Sequence, residues 1–172
     1  TKRGESLLHV VVADVDVSAK RLPDSTSPAQ DAFDLKHDFV DTFFPELEYL
    51  GDYHSHPYDQ SEVSNELSLQ KNRYHHRSPG DKDFARYLQE NGRNFRLQLI
   101  TTVFERENFV KRDSGYLKDE KSCIRFQYNH MTIWVKVYVF GSDGTRFLKV
   151  RDNNVALICP TIGIDIGSIP TE

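Results

Sequence analysis

Two histidines separated by one residue, His54 and His56, are the side chains in this sequence best suited to chemistry. Residues i and i+2 of a β-strand point to the same face, so a strand through this segment would aim both imidazoles at one point. Imidazole is a common zinc ligand, and a catalytic zinc typically has three protein ligands and a water molecule. The pair therefore predicts a metal site that needs one further ligand from elsewhere in the chain.

Asp81 is the candidate for the third ligand, because it stands at the start of a predicted helix in the segment S-P-G-D. A carboxylate there can turn out of the helix toward a neighbouring strand end. It could instead be an ordinary helix-terminal carboxylate, with Ser78 as the N-cap and Pro79 at the first helical position. His75 and His76 offer alternative ligands, although the polar sequence around them favours solvated loop residues.

These two segments, H-S-H-P at 54–57 and S-P-G-D at 78–81, resemble the motif of the JAMM/MPN (JAB-type) family. That motif is an upstream glutamate, then H-[ST]-H-P, a spacer and S-x-x-D. Proteins of the family are zinc metallopeptidases, and many cleave the isopeptide or peptide bond after the C-terminus of ubiquitin or a ubiquitin-like protein. The resemblance implies a zinc hydrolase whose partner is a ubiquitin-like protein or peptide substrate.

The resemblance assigns roles residue by residue. It implies one Zn²⁺ per chain, held by His54, His56 and Asp81. It implies that Ser78 helps to stabilise the oxyanion through a hydrogen bond. The upstream glutamate corresponds to Glu5, which would accept a proton from the zinc-bound water.

Two features differ from the pattern of the family. The spacer between the two motif segments is longer than usual, which predicts an inserted loop at about 58–77, as a lid or a substrate-contacting arm. The family also has a strand and a helix before its glutamate, and the residues before Glu5 are too few to form them. Glu46 and Glu48, just before the histidine strand, are therefore alternative general bases.

The elements that must position these residues follow from hydrophobic periodicity and turn residues. We expect strands at 5–17, 47–53, 95–104, 123–140 (with a break at Asn129–His130), 147–150 and 155–159, and helices at 31–44 and from Ser78 to Asn91. Residues 18–30 and 105–121 are expected to be loops. The order predicts an α/β (α+β) layered domain. With the resemblance, it implies one MPN/JAMM-like (cytidine-deaminase-like) domain over 1–172, a mixed β-sheet flanked by helices.

The composition of the chain bears on which classes of partner it can bind. The 172 residues include 22 basic and 26 acidic side chains, for a net charge of -4, and no concentrated basic run. This pattern argues against a nucleic-acid-binding protein, since phosphate binding needs a concentrated basic surface. No apolar run approaches the roughly 20 residues of a membrane helix. We therefore expect no nucleic-acid or membrane partner and a cytoplasmic location.

Two other functions compete with the zinc peptidase. The pattern Asp52-x-His54-x-His56 also opens metal sites in amidohydrolases and PHP-type phosphoesterases, but such barrels typically need about 250 residues. Some MPN-type proteins are scaffolds that lack the metal ligands. A catalytically weak or inactive protein-binding scaffold is therefore the main alternative.

Overall fold

The structure, a computed structural model, describes residues 19–22, 25–28, 30–90, 95–108, 114–142 and 147–165. The chain forms two compact units, residues 1–48 and 49–172. The strand predicted at 5–17, and Glu5 with it, lies outside the described residues. None of the helices in the described ranges is long and apolar enough to cross a bilayer.

The first unit contains a hairpin and a helix. Strands β1 (Ala19–Leu22) and β2 (Ser25–Pro28) pair antiparallel, and helix α1 spans Gln30–Phe43. The helix confirms the prediction for 31–44. The prediction of a loop at 18–30 is wrong. Backbone hydrogen bonds between two strands can form between polar residues, and such strands have no hydrophobic pattern from which they could be predicted.

The second unit is built on a six-stranded mixed sheet. Its elements are β3 (Gly51–Tyr58), α2 (Glu66–Lys71), α3 (Pro79–Glu90), β4 (Leu97–Glu105), β5 (Gly115–Leu117), β6 (Glu120–Tyr128), β7 (Met131–Ser142) and β8 (Phe147–Lys149). The strand order is β3-β4-β7-β6-β5, and β8 pairs with β7. Strands β3 and β4 are parallel, and the other pairs are antiparallel. The prediction of an α+β fold with a mixed sheet and helices is confirmed, whereas the MPN-like fold stays a prediction.

Two further element predictions are wrong. The expected loop at 105–121 contains β5 and the start of β6, and the two strands pair antiparallel with a register shift between Tyr116 and Leu117. A strand of three residues is too short to show a periodic pattern. The expected strand at 155–159 forms only an isolated bridge between Cys159 and Ile164. Residues of high β-propensity form a strand only where a neighbouring strand is available to pair with them.

The connection from β3 to β4 decides where the helices lie. Parallel neighbouring strands require a crossover, and here the crossover contains α2 and α3. Because α3 returns toward the start of β4, its first turn lies at the carboxyl end of β3. The crossover therefore places Asp81, in the first turn of α3, beside the histidines near the middle of β3.

Two apolar clusters fill the space between the sheet and the crossover. One contains Val63, Leu69, Phe104, Cys123 and Trp134, and the other contains Ala85, Phe95, Ile100, Tyr138 and Phe140. Both clusters draw residues from the crossover and from β4 and β7. The 58–77 segment thus supplies Val63 and Leu69 to the core, and its packing keeps this face of the sheet out of water.

Candidate metal centre

Strand β3 presents both histidines on its sheltered face. Along this strand, positions 52, 54, 56 and 58 are partly buried, whereas 53, 55 and 57 are exposed. The parallel register sets His54 beside Ile100 and His56 beside Thr102, and both β4 residues are fully buried. The two imidazole rings lie 5.0 Å apart between centroids. Side-chain alternation therefore brings the pair together as the sequence predicts.

Asp81 reaches the histidines from the first turn of α3, and a reciprocal cap holds its carboxylate. The Ser78 backbone N–H donates to Asp81 Oδ2 at 2.6 Å, and the Asp81 backbone N–H donates to Ser78 Oγ at 3.1 Å. This is the capping-box arrangement, with aspartate in place of the usual glutamate or glutamine. The S-x-x-D spacing thus caps the start of the helix and also fixes the direction of the carboxylate.

The ligand atoms of the three residues converge on one point. His54 Nε2 lies 3.0 Å from Asp81 Oδ1, and His56 Nε2 lies 3.4 Å from Asp81 Oδ2. Two ligands bound tetrahedrally to zinc at roughly 2.0–2.1 Å are themselves about 3.3 Å apart. His54 Nε2 is buried and has no partner with hydrogen-bond geometry. The donor set and its spacing therefore fit a zinc ion, and His54, His56 and Asp81 could hold one.

Asp52 fixes the tautomer of His54. His54 Nδ1 lies 2.7 Å from Asp52 Oδ2, and an imidazole that donates from Nδ1 keeps a lone pair on Nε2. The buried Gln98 donates from Nε2 to Asp52 Oδ2 and to the Asp81 backbone carbonyl, both at 3.4 Å. Asp52 and Gln98 therefore support the two elements that carry the ligands.

This supporting role of Asp52 and Gln98 was not predicted from the sequence. A signal was present for Asp52, which precedes His54 by two positions and therefore shares its face of the strand. No comparable signal exists for Gln98, whose place beside Asp52 depends on the β3–β4 register.

The charges of the site are strongly coupled. Burial lowers the pKa of His54, but the hydrogen bond to Asp52 and the close carboxylates of Asp52 and Asp81 outweigh it and raise the pKa to about 9. Burial raises the pKa of Asp81, but its close contacts with His54 and His56 and the hydrogen bond from the Ser78 amide hold it well below its usual range. The positive charge of a protonated His54 is therefore stabilised by the two carboxylates beside it.

The structure places some of the other predicted site residues near the histidines and leaves others undescribed. Ser78 is half-buried at the cap of α3, directly beside the Asp81 carboxylate. Glu5 lies outside the described residues, and its role stays a prediction. Glu46 and Glu48 belong to the first unit of the chain. His75 is buried, with 5% of its side chain exposed, so the expectation of solvated loop histidines is wrong for it.

No protein-family model, no curated protein and no solved structure matches this chain. The functional interpretation therefore depends on the geometry of the site and on the resemblance of its motif.

Proposed function

We propose that this chain is a zinc-dependent hydrolase that cleaves an amide bond, a metallopeptidase or isopeptidase of the JAMM type. The observation that supports it best is the convergence of two imidazole nitrogens and one carboxylate, with Asp81 oxygens 3.0 Å and 3.4 Å from His54 and His56. Three protein ligands of this kind leave a fourth zinc position open, as a catalytic site requires.

A bound zinc would supply a Lewis acid and a water molecule whose pKa is lowered to about 7. The chain's own residues then orient the reactants. Asp52 holds the imidazole of His54 with Nε2 toward the centre, and the cap of α3 holds the Asp81 carboxylate. Because these supports use hydrogen bonds to the chain itself, the ligands are arranged before any substrate arrives.

Ser78 has a hydroxyl suited to the oxyanion role. Its oxygen accepts the Asp81 backbone N–H, which leaves the hydroxyl hydrogen available to a substrate oxygen. A single oxyanion donor contributes about 2.7–4 kcal/mol to the stability of a transition state. Glu5 is the proposed general base, which takes a proton from the attacking water and passes it to the leaving amine.

The proposed substrate is the C-terminal tail of a ubiquitin or a ubiquitin-like protein. Such a tail is extended and can add to the edge of a sheet through backbone hydrogen bonds. Within the described residues, β3 pairs with β4 alone, so the strand that carries the histidines is also the edge of this sheet. A tail that pairs with this edge would pass beside His54 and His56.

The proposal is tested by hydrolysis of ubiquitin and ubiquitin-like proteins that carry a fluorogenic amide at the C-terminus. We expect zinc-loaded wild-type chain to release the fluorophore, and His56→Ala and Asp81→Ala to lose at least about 100-fold in rate. His130→Ala is the matched control, because it removes an imidazole from the exposed turn between β6 and β7. Metal content is measured in parallel by mass spectrometry.

The outcomes separate the two leading functions. Hydrolysis that depends on His56 and Asp81 supports the peptidase. Zinc bound at the site without hydrolysis of any substrate in the panel favours the catalytically weak or inactive MPN-type scaffold. A wild-type chain that retains no zinc after reconstitution contradicts the proposed metal centre and the enzyme with it.

A further inference from the structure

A second group of metal-ligating side chains lies away from the first. His75 and His76, at the end of the 58–77 segment, face Glu120, the first residue of β6. They line a cleft of about 320 Å³ that opens to solvent. His75 Nδ1 is buried without a hydrogen-bond partner, in a side chain only 5% exposed. The other ring nitrogen of His75, Nε2, is the atom that faces Glu120.

The separations in this group are those of ligands around one ion. His76 Nε2 lies 3.4 Å from Glu120 Oε1, and His75 Nε2 lies 3.8 Å from Glu120 Oε2. The second distance is too long for a hydrogen bond. Both are near the separation of about 3.3 Å between tetrahedral zinc ligands. One nitrogen or oxygen from each residue falls within 4.8 Å of the other two.

A neighbouring hydroxyl can set the tautomer of His76. Tyr138 Oη lies 3.0 Å from His76 Nδ1 and also accepts the Arg77 backbone N–H at 3.2 Å. When Nδ1 carries the hydrogen and donates it to Tyr138, the lone pair of His76 Nε2 faces Glu120. This is the outer-shell hydrogen bond that metal-binding histidines usually make.

The cations around Glu120 leave one of its oxygens available. The buried Lys136 Nζ lies 3.3 Å from Glu120 Oε1 and donates to Ser122 Oγ at 2.6 Å, and Asp152 Oδ1 balances its charge at 3.5 Å. Arg73 approaches Oε1 at 3.9 Å and His76 Nε2 at 3.5 Å, but 67% of its side chain is exposed, so the guanidinium can turn into water when an ion binds. Glu120 Oε2 faces His75 instead of these cations.

We propose that His75, His76 and Glu120 form a second site for a divalent transition-metal cation of the zinc class. Two imidazoles and a carboxylate suit zinc and its first-row neighbours, and the open cleft leaves a position for water. The sheet register sets His54 beside Ile100 and Ile100 beside Lys136, the partner of Glu120. Two strand spacings, about 9.6 Å, therefore lie between the backbones at His54 and Lys136.

The second site has a structural consequence of its own and does not depend on the proposed function. A cation there ties the end of the 58–77 segment to β6. The next residues, Arg77 and Ser78, lead directly into the cap that holds Asp81. Occupancy of the second site would thus restrain the chain that positions a ligand of the first.

The test measures zinc stoichiometry on the full chain. The protein is stripped with a chelator, titrated with Zn²⁺ alone and analysed by calorimetry and mass spectrometry. We expect two zinc ions per chain in wild type and one in each of His75→Phe, His76→Gln and His56→Gln. His75→Phe keeps a large ring in a buried position, and His76→Gln keeps a polar group beside Tyr138. His130→Gln controls for the loss of a surface imidazole.

The zinc stoichiometries of these variants test the two sites independently of each other. If wild type binds a single zinc that His75→Phe and His76→Gln each lose and His56→Gln keeps, the second site stands and the proposed catalytic centre does not. If wild type binds a single zinc that only His56→Gln loses, the second site is overturned. Circular dichroism and thermal unfolding identify any misfolded variant, and the other histidine variant then decides the result.

Discussion

The Nδ1 atom of His54 lies 2.7 Å from Asp52 Oδ2, and the two residues lie two positions apart on the same face of β3. This hydrogen bond orients the imidazole so that Nε2 faces Asp81. One strand therefore supplies both a candidate metal ligand and the carboxylate that supports it, the arrangement that carboxylate–histidine pairs have in zinc sites.

Replacing Asp52 with asparagine should weaken zinc binding at the first site about 10- to 100-fold, because the amide is a poorer acceptor for the imidazole N–H. Competition with a chromophoric chelator measures the affinity. Asp83→Asn is the matched control, since Asp83 is exposed on α3 and pairs with Arg86 at 2.9 Å. Equal zinc affinities for wild type and Asp52→Asn would show that the hydrogen bond does not support the ligand.

Zinc binding at the first site should release a proton near neutral pH. The carboxylates of Asp52 and Asp81 overcome the effect of burial and raise the pKa of His54 to about 9, so the metal-free imidazole is protonated at pH 7 to 8. Zinc requires the deprotonated nitrogen, and its apparent affinity should therefore rise as the pH approaches 9. Calorimetry in buffers of different ionisation enthalpy counts the protons. No release in that range would contradict the assignment of His54 as a ligand.

Ser78→Ala should lower the activity of the proposed enzyme about 10²- to 10³-fold through the lost oxyanion donor. The loss of the cap should also cost about 1 kcal/mol of stability. Ser78→Thr retains a hydroxyl and should recover most of both. Steady-state kinetics and chemical denaturation separate the two effects. An alanine variant that loses stability but retains full activity would limit Ser78 to its role as a cap.

Gly51→Ala should destabilise the second unit by on the order of 3 kcal/mol. Gly51 has φ +154° at the start of β3, and a Cβ atom there would lie 1.7 Å from the backbone oxygen of Leu97. Gly115→Ala is the matched control, because a Cβ on Gly115 meets no atom within 4 Å. Urea denaturation compares the two variants, and equal stabilities would show that β3 and β4 can separate at this point without cost.

The metal-free chain should lose stability as the pH falls from 6.5 to 4. Burial, with the charges of His75, Arg73 and Lys136, outweighs Glu120 and lowers the pKa of His76 to about 4. Over that range the unfolded chain binds a proton that the folded chain does not. The unfolding free energy should fall by on the order of 3 kcal/mol.

His76→Gln should flatten this dependence on pH, because glutamine has no group that titrates in the range. Denaturation at several pH values with a chelator present measures it. Glu120 lowers the unfolding free energy only at lower pH. Burial raises the pKa of Glu120, but the contacts with His75, Lys136 and His76 outweigh burial and lower the pKa to about 2. Equal slopes for wild type and His76→Gln would contradict the role assigned to His76.

The sequence by itself determined the local part of the site. The i, i+2 spacing of His54 and His56 places them on one face of any strand, and the sheet register did not alter that. S-x-x-D predicted a helix start, and the structure shows the reciprocal cap between Ser78 and Asp81. These relationships involve neighbours within four residues, for which backbone geometry alone fixes the outcome.

Tertiary structure decided which distant side chains meet. The parallel pairing of β3 with β4 brought Gln98 to Asp52, and the crossover placed Asp81 at the end of the histidine strand. Glu120 lies beside His75 and His76 because β6 is next to β7 in the sheet. From the sequence, all three residues were predicted to lie in loops, so their contact could not be foreseen. Such contacts depend on strand order and register, which are selected by the packing of the whole core and leave no local pattern to read.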